Sequence, residues 1–216
     1  MVFKRRDPRT WPQVIVRWLY PRGGWSRAVS YVMHRLRRLP DPPHKIARGV
    51  AAGIFVCFTP FFGFHFILAA VLSFIMQGNI LAALLATFFG NPLTFPIIAT
   101  VSLELGSWML GTPGGVQFPE VVQAFSSATL ELSRNFSALF TDEVVNWHSM
   151  AGFFRQVFWP YMVGGLIPGT VAGVIGYGLT LPAVSAYQKR RVKKLQSRFE
   201  KHRAALAKSD GAAKTE

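Results

Sequence analysis

Between Arg48 and Glu104 lie 55 consecutive residues with no Asp, Glu, Lys or Arg, and a second charge-free run covers the 33 residues Gln156–Gln188. A helix that crosses a bilayer needs only about 20 predominantly apolar residues. Runs of this length predict an integral membrane protein. Half of the 216 residues are hydrophobic, which excludes a disordered chain, because disorder requires low hydrophobicity. The single cysteine, Cys57, excludes a disulfide framework and a multi-thiolate metal site.

The remaining charge, 24 Lys and Arg against 10 Asp and Glu, sorts by segment. Residues 1–48 carry 12 Lys/Arg and two acids, and 188–216 carry ten Lys/Arg and three acids. The connector 112–150 holds Arg134 against Glu120, Glu131, Asp142 and Glu143 and is net negative. The positive-inside bias then places both termini in the cytoplasm and the connector outside. No cleavable signal peptide is expected, since the first 48 residues are basic, Pro-broken and lack an apolar h-region. Within them Trp25, Ala28, Val29, Val32, Met33 and Leu36 fall at helical spacing opposite Arg27, His34, Arg35 and Arg38. That is a basic amphipathic helix suited to a headgroup layer, with Trp11, Trp18 and Tyr20 as interfacial residues before it. Val192, Leu195, Phe199, His202 and Leu206 repeat the theme in the tail. Basic clusters at membrane boundaries are accounted for by anionic headgroups, so no nucleic-acid partner is expected.

The hydrophobic part is interrupted. Residues 49–76 would span about 42 Å as one helix, against a hydrocarbon core of about 30 Å, and they contain Thr59-Pro60-Phe61-Phe62-Gly63-Phe64-His65. The next stretch, 80–111, contains Gly90-Asn91-Pro92-Leu93-Thr94-Phe95-Pro96. Proline removes an amide donor, and the residue before it avoids the α region, so Thr59 and Asn91 should leave the helix. Two interrupted segments in succession point to a site built from discontinuous helices, whose half-helix N-termini offer amides to an anion. The candidate pocket is Thr59, Pro60, Gly63, His65, Gly90, Asn91, Pro92, Thr94 and Pro96. In the alternative reading these polar groups satisfy one another and give shape without a ligand. If Asn91 orients a half-helix, Asn91→Leu should do more damage than Asn79→Leu.

A third stretch, within 151–187, carries Pro160, Pro168 and Pro182, and glycines every four residues at 165, 169 and 173, as at 49 and 53. Such spacing lets helices approach closely and offers faces for a homo-oligomer. Three full spans conflict with two cytoplasmic termini. An even number of crossings requires a re-entrant element within 49–111, or a third stretch that folds back on itself. The fold class expected is therefore all-α and polytopic, with Pro/Gly-broken or re-entrant helices and basic amphipathic ends. Its segments are 1–48 (basic, interfacial), 49–111 (broken helices), 112–150 (acidic connector), 151–187 (Gly/Pro-rich) and 188–216 (basic tail).

His65 and Glu104 are the ionisable groups in or beside the first apolar region. An ionisable residue at that depth is a functional candidate by default, though a hydrogen bond from His65 to a backbone carbonyl is the simplest expectation. Phosphate-loop, zincin, nucleophile-elbow and dinucleotide signatures are absent. The five histidines do not pair at helical spacing, so no metal, cofactor or catalytic residue is expected. Asn135-Phe136-Ser137 matches a glycosylation sequon, too short a pattern to carry weight.

The run Ala47-Arg48-Gly49-Val50-Ala51-Ala52-Gly53-Ile54-Phe55, followed by the two breaks and Gly78-Asn79 between them, resembles a bacterial membrane family catalogued as domain of unknown function 2062. The similar block covers about residues 40–111 and extends to about 187. The Gly-Asn-Pro-Leu-Thr-Phe-Pro element is its most specific part, and the leader Tyr20-Pro21-Arg22-Gly23-Gly24-Trp25 resembles the alphaproteobacterial version. The resemblance implies a bacterial inner-membrane location and no established activity. It also implies kinship with chains joined to glycosyltransferase-like domains, and so a link to envelope polysaccharide or lipid-linked sugars. Three functions are open: transport or translocation of a small anionic or lipid-linked substrate, a non-catalytic scaffold in envelope biogenesis, and an enzyme using His65 and Glu104. The last is disfavoured for want of a second convergent acid or base.

Overall fold

The structure, a computed structural model, describes residues 24–112, 118–138, 140–141 and 144–213, without the side chains of Trp25, Ala28, Phe118, Lys201, His202 and 204–213. The interfacial roles expected of Trp11, Trp18 and Tyr20, most of the leader motif and the Asp142-Glu143 pair lie outside the described residues. The described residues form helices joined by turns, with no strand among them.

α1 (Gly24–Arg38) is the expected amphipathic helix. Leu36 is buried against the bundle, Val32 packs beside it, and Arg27, His34, Arg35 and Arg38 stay exposed. α2 (Pro43–Val56) opens with proline in its first turn, where the missing amide would have had no partner anyway. Its last amides tighten to carbonyls three residues back, Cys57 N–H to Ile54, Phe58 N–H to Phe55 and Thr59 N–H to Val56, before Pro60 ends the helix. Gly63, at φ +86°, turns the chain into α3 (His65–Ile75). A turn through Gln77 and Gly78 leads to α4 (Ile80–Ala86), which tightens into a 3₁₀ turn at Thr87–Phe89. Asn79 caps α4, its Oδ1 accepting from Ala82 N–H at 2.6 Å. The second break follows, and then α5 (Phe95–Leu110).

α2 and α4 lie side by side and parallel at a constant offset of 30 residues. A Cβ on Gly49 would stand 2.2 Å from the Asn79 carbonyl oxygen, and one on Gly53 2.2 Å from that of Ala83. One turn further, the Cys57 thiol donates to the Thr87 carbonyl at 3.4 Å. The two strands of chain therefore break at the same level and then part. α3 doubles back, burying Ala69 with Val56 and Ala83. α5 continues onward, away from α2.

The connector forms α6 (Phe118–Ala138) and the short α7 (His148–Phe153). A five-residue π segment, Phe154–Phe158, then feeds α8 (Trp159–Ala213). The π turn absorbs Pro160, which can neither donate to the carbonyl four residues back nor fit beneath it. Pro168 and Pro182 sit inside α8 without breaking it, so the third stretch neither folds back nor separates from the tail: 159–213 is one helix. α8 runs antiparallel to α2 and then to α5. Val184 is buried with Leu36 and Ile46, Gly176 meets Ile54, Gly165 meets Phe58, and Gly164 meets Ser102 and Gly106. The four-residue glycine spacing is thus used for contacts within the chain.

The outward faces of these helices are apolar. Phe66, Ile67 and Phe74 on α3, Ile97 and Trp108 on α5, and Val171, Val174 and Leu179 on α8 are all exposed. Among the described residues only His148–Glu200 is long and apolar enough to cross a membrane by itself, and 22% of its most apolar window is buried. The other apolar helices, His65–Ile75, Ile80–Phe89 and Phe95–Leu110, are short.

Candidate functional site

The two breaks meet. The rings of Phe62 and Phe95 lie 4.8 Å apart between centroids, Phe58 stacks on Phe89 at 6.1 Å, and a Cβ on Gly90 would meet the Cys57 sulfur at 3.0 Å. Phe62 is the hub. It also touches His65 at 5.9 Å, Tyr161 of α8 at 5.8 Å and Phe125 of α6 at 4.4 Å.

Within this junction the four polar side chains expected to form a pocket turn to their own backbone. Thr59 Oγ1 donates to the Val56 carbonyl at 2.7 Å. His65 Nε2 sits 3.3 Å from the Thr59 carbonyl, the simplest role foreseen for it. Asn91 Oδ1 accepts from Leu93 N–H at 2.9 Å and Thr94 N–H at 3.1 Å, and Phe95 N–H donates to the Asn91 carbonyl at 2.8 Å. Thr94 Oγ1 donates to the Phe89 carbonyl at 2.5 Å and accepts from Asn91 N–H at 3.0 Å. The amides of 93–95, expected to stay free for an anion, are therefore occupied by Asn91. The physical reason is that an Asx turn satisfies them locally, without the cost of leaving them bare. At the first break no side chain caps α3.

The space beside the junction is aromatic. A cleft of about 540 Å³ runs between Pro60, Phe61, Phe62 and Phe64 on one side and Phe125, Trp147, Phe153 and Phe158 on the other. Of the nine expected pocket residues only Pro60 lines it. Gly63 is exposed, Gly90 lies against Cys57, and Pro92, Thr94 and Pro96 are half-buried in and just after the second turn. Glu104 is exposed on α5, away from the junction, and Arg155 and Trp159 are exposed at the start of the last helix.

Two buried polar groups here escaped the sequence reading. Tyr161 and Ser102 are fully buried, and among the described residues neither the Tyr161 hydroxyl nor Ser102 Oγ has a hydrogen-bond partner. Nothing in the sequence sets them apart from other hydroxyls in apolar runs; only the packing of α5 on α8 encloses them. The connector roofs the cleft, and it is pinned by its own polar residues. Glu131 accepts from Ser149 N–H at 3.0 Å and Met150 N–H at 2.6 Å, and Asn135 pairs with the Asn146 backbone. The sequon asparagine is thus buried in a structural contact. Desolvation raises the Glu131 pKa, but the Ser149 and Met150 amides, the Ser149 hydroxyl and His148 together outweigh it and hold the carboxyl below the usual range. Among the described residues, no group of three His, Cys, Asp or Glu could hold a metal ion.

Fold and junction together define an all-helical protein in which two chain breaks meet against one continuous apolar helix. The chain belongs to the bacterial family described as an uncharacterized protein conserved in bacteria, DUF2062, whose model matches residues 26–193. That range takes in both breaks and the apolar part of α8. No curated protein and no solved structure matches the chain.

Proposed function

We propose that the chain is a polytopic protein of the bacterial inner membrane that translocates a small anionic or lipid-linked substrate past the junction of its two breaks. In this reading α2–α3 is a re-entrant hairpin, α4–α5 is a broken crossing and α8 is a continuous one. One crossing precedes the connector and two are made in all, which reconciles an outward connector with two cytoplasmic termini. The observation that carries the reading is the meeting of both breaks at one level along α8, Phe62 against Phe95 at 4.8 Å, inside helices whose outer faces are apolar. Irregular backbone at that depth is tolerated only where protein covers it or a wet cavity meets it, and discontinuous helices form transporter sites. The charge-free lining of the adjoining cleft suits the hydrocarbon part of an amphiphile.

A second reading, a non-catalytic scaffold for envelope biogenesis, draws on the local hydrogen bonds of Thr59, His65, Asn91 and Thr94, which leave the breaks self-sufficient. Cysteine accessibility separates the two. Cys57 is first replaced by Ser, whose hydroxyl keeps a donor for the Gly53 and Thr87 carbonyls. Single cysteines are then placed at 62, 64, 93 and 95, with connector and tail controls. Labelling at both breaks by a small hydrophilic maleimide is expected. Protection of both while the controls react would replace translocation by the scaffold reading.

A further inference from the structure

Further along α8, away from the cleft, a groove of about 610 Å³ opens between Pro43 at the start of α2 and one stripe of α8: Ser185, Gln188, Lys189, Val192, Lys193 and Gln196. The stripe follows helical spacing, so Arg190, Arg191 and Lys194 fall on other faces. Among the described residues neither Lys189 nor Lys193 has a carboxylate partner. The nearby acid, Asp41, is engaged twice over: its carboxylate accepts from Asn79 Nδ2, and its carbonyl from Gln188 Nε2 at 2.9 Å. The floor, Pro43 and Val192 with the lysine stems, is apolar.

The groove sits where α8 changes character. From Trp159 to Gln188 the helix carries no charge, and its exposed Val171, Val174 and Ile175, on the same face as the stripe, lead up to the groove. Beyond it come Lys189, Arg190, Arg191, Lys193 and Lys194. A ligand with its anionic end between Lys189 and Lys193 therefore has an apolar track on which to lay a chain. A free anion uses only half of that surface.

We infer that this groove is a binding site for the phosphate headgroup of an anionic lipid, with Lys189 and Lys193 as its charge partners and Gln196 at its rim. The inference rests on the membrane reading above and names the end at which such a molecule is first held. Ammonium groups act on phosphate as point charges, worth about thirtyfold in affinity for a pair at a membrane surface.

The test uses the full chain in neutral detergent, with phosphatidylglycerol and phosphatidylcholine titrated and adducts read by native mass spectrometry. Phosphatidylglycerol is expected to bind in preference. K189Q/K193Q should lower its affinity about thirtyfold and K189R/K193R should restore it, whereas R190Q/K194Q, with the same change of charge, should cost less than about threefold. Equal losses in the two Gln pairs would mean a diffuse basic surface and overturn the site, as would no preference between the lipids. Displacement of the lipid by millimolar inorganic phosphate would assign the groove to a free anion, and displacement by a short single-stranded RNA to nucleic acid; either result also overturns it. Lipid binding is read here without transport. Its failure alongside labelled breaks leaves the translocation proposal intact, and its success alongside protected breaks retires translocation and keeps the groove.

Discussion

Asn91 and Asn79 differ in what they hold. Asn91 supplies the oxygen that receives two amides of the second break, and Thr94 closes the same turn from the other side. Leaving those amides bare costs about 1–3 kcal/mol. Asn91→Leu is therefore expected to destabilise the detergent-solubilised protein by that amount, read as a lowered thermal midpoint, while Thr94→Ser stays near wild type. Asn79 caps α4 and donates to the Asp41 carboxylate, and its own amide donates to the Lys45 carbonyl. The expected asymmetry between Asn91→Leu and Asn79→Leu thus loses its basis; the two should destabilise comparably, and a neutral Asn79→Leu in the same melt would contradict the cap. Glu131 adds a pH signature. Its folded pKa lies below the unfolded value, so its contribution is complete above about pH 4.5 and fades as pH falls through the folded value. Melting curves from pH 7 to pH 3 should show wild type losing an advantage over Glu131→Gln in that acid window. A constant difference between the two at every pH would remove the carboxylate from the account.

Among the elements, the α2–α4 contact is the most sensitive to volume. Gly53→Ala puts a methyl 2.2 Å from a backbone oxygen that cannot swing aside, whereas nothing stands within 4 Å of a Cβ on Gly178. Gly53→Ala is expected to cost about 1–3 kcal/mol by overpacking, and Gly178→Ala to be neutral or gain about 0.5–1 kcal/mol of helix propensity. Fluorescence-detected size exclusion after a heat step would rank them, and equal survival would place α2 and α4 further apart than described. The breaks were legible at this scale because proline and glycine act on their own neighbours: Thr59-Pro60 and Asn91-Pro92 lie outside helix as their sequence requires. The persistence of α8 through Pro168 and Pro182 was not legible. A proline inside an apolar helix kinks or breaks it according to what packs alongside, and here α2 and α5 hold the part of α8 that contains both prolines. The direction taken after each break, back for α3 and onward for α5, is likewise set by which neighbour offers an apolar face.

For the whole molecule, the decisive prediction is the sidedness of the connector under the membrane proposal. Alkaline phosphatase fused after residue 145 should be active, and the same enzyme fused at the C-terminus inactive, in intact bacteria. Activity at both ends, or at neither, would reject the arrangement of one re-entrant hairpin, one broken crossing and one continuous crossing.

By itself the sequence determined the helical class, the two interruptions, the amphipathic first helix and the segregation of charge to the ends. Each of these is a matter of composition and period, which the chain carries locally. Only the tertiary structure decided that the breaks meet, that their polar groups close on themselves, that Tyr161 and Ser102 are enclosed with no partner among the described residues, and that an aromatic cleft lies where a polar pocket was expected. The reason is physical: a side chain's nearest carbonyl is fixed by its own turn, but the space beside it belongs to segments as distant as α6 and α8, whose approach no local pattern records.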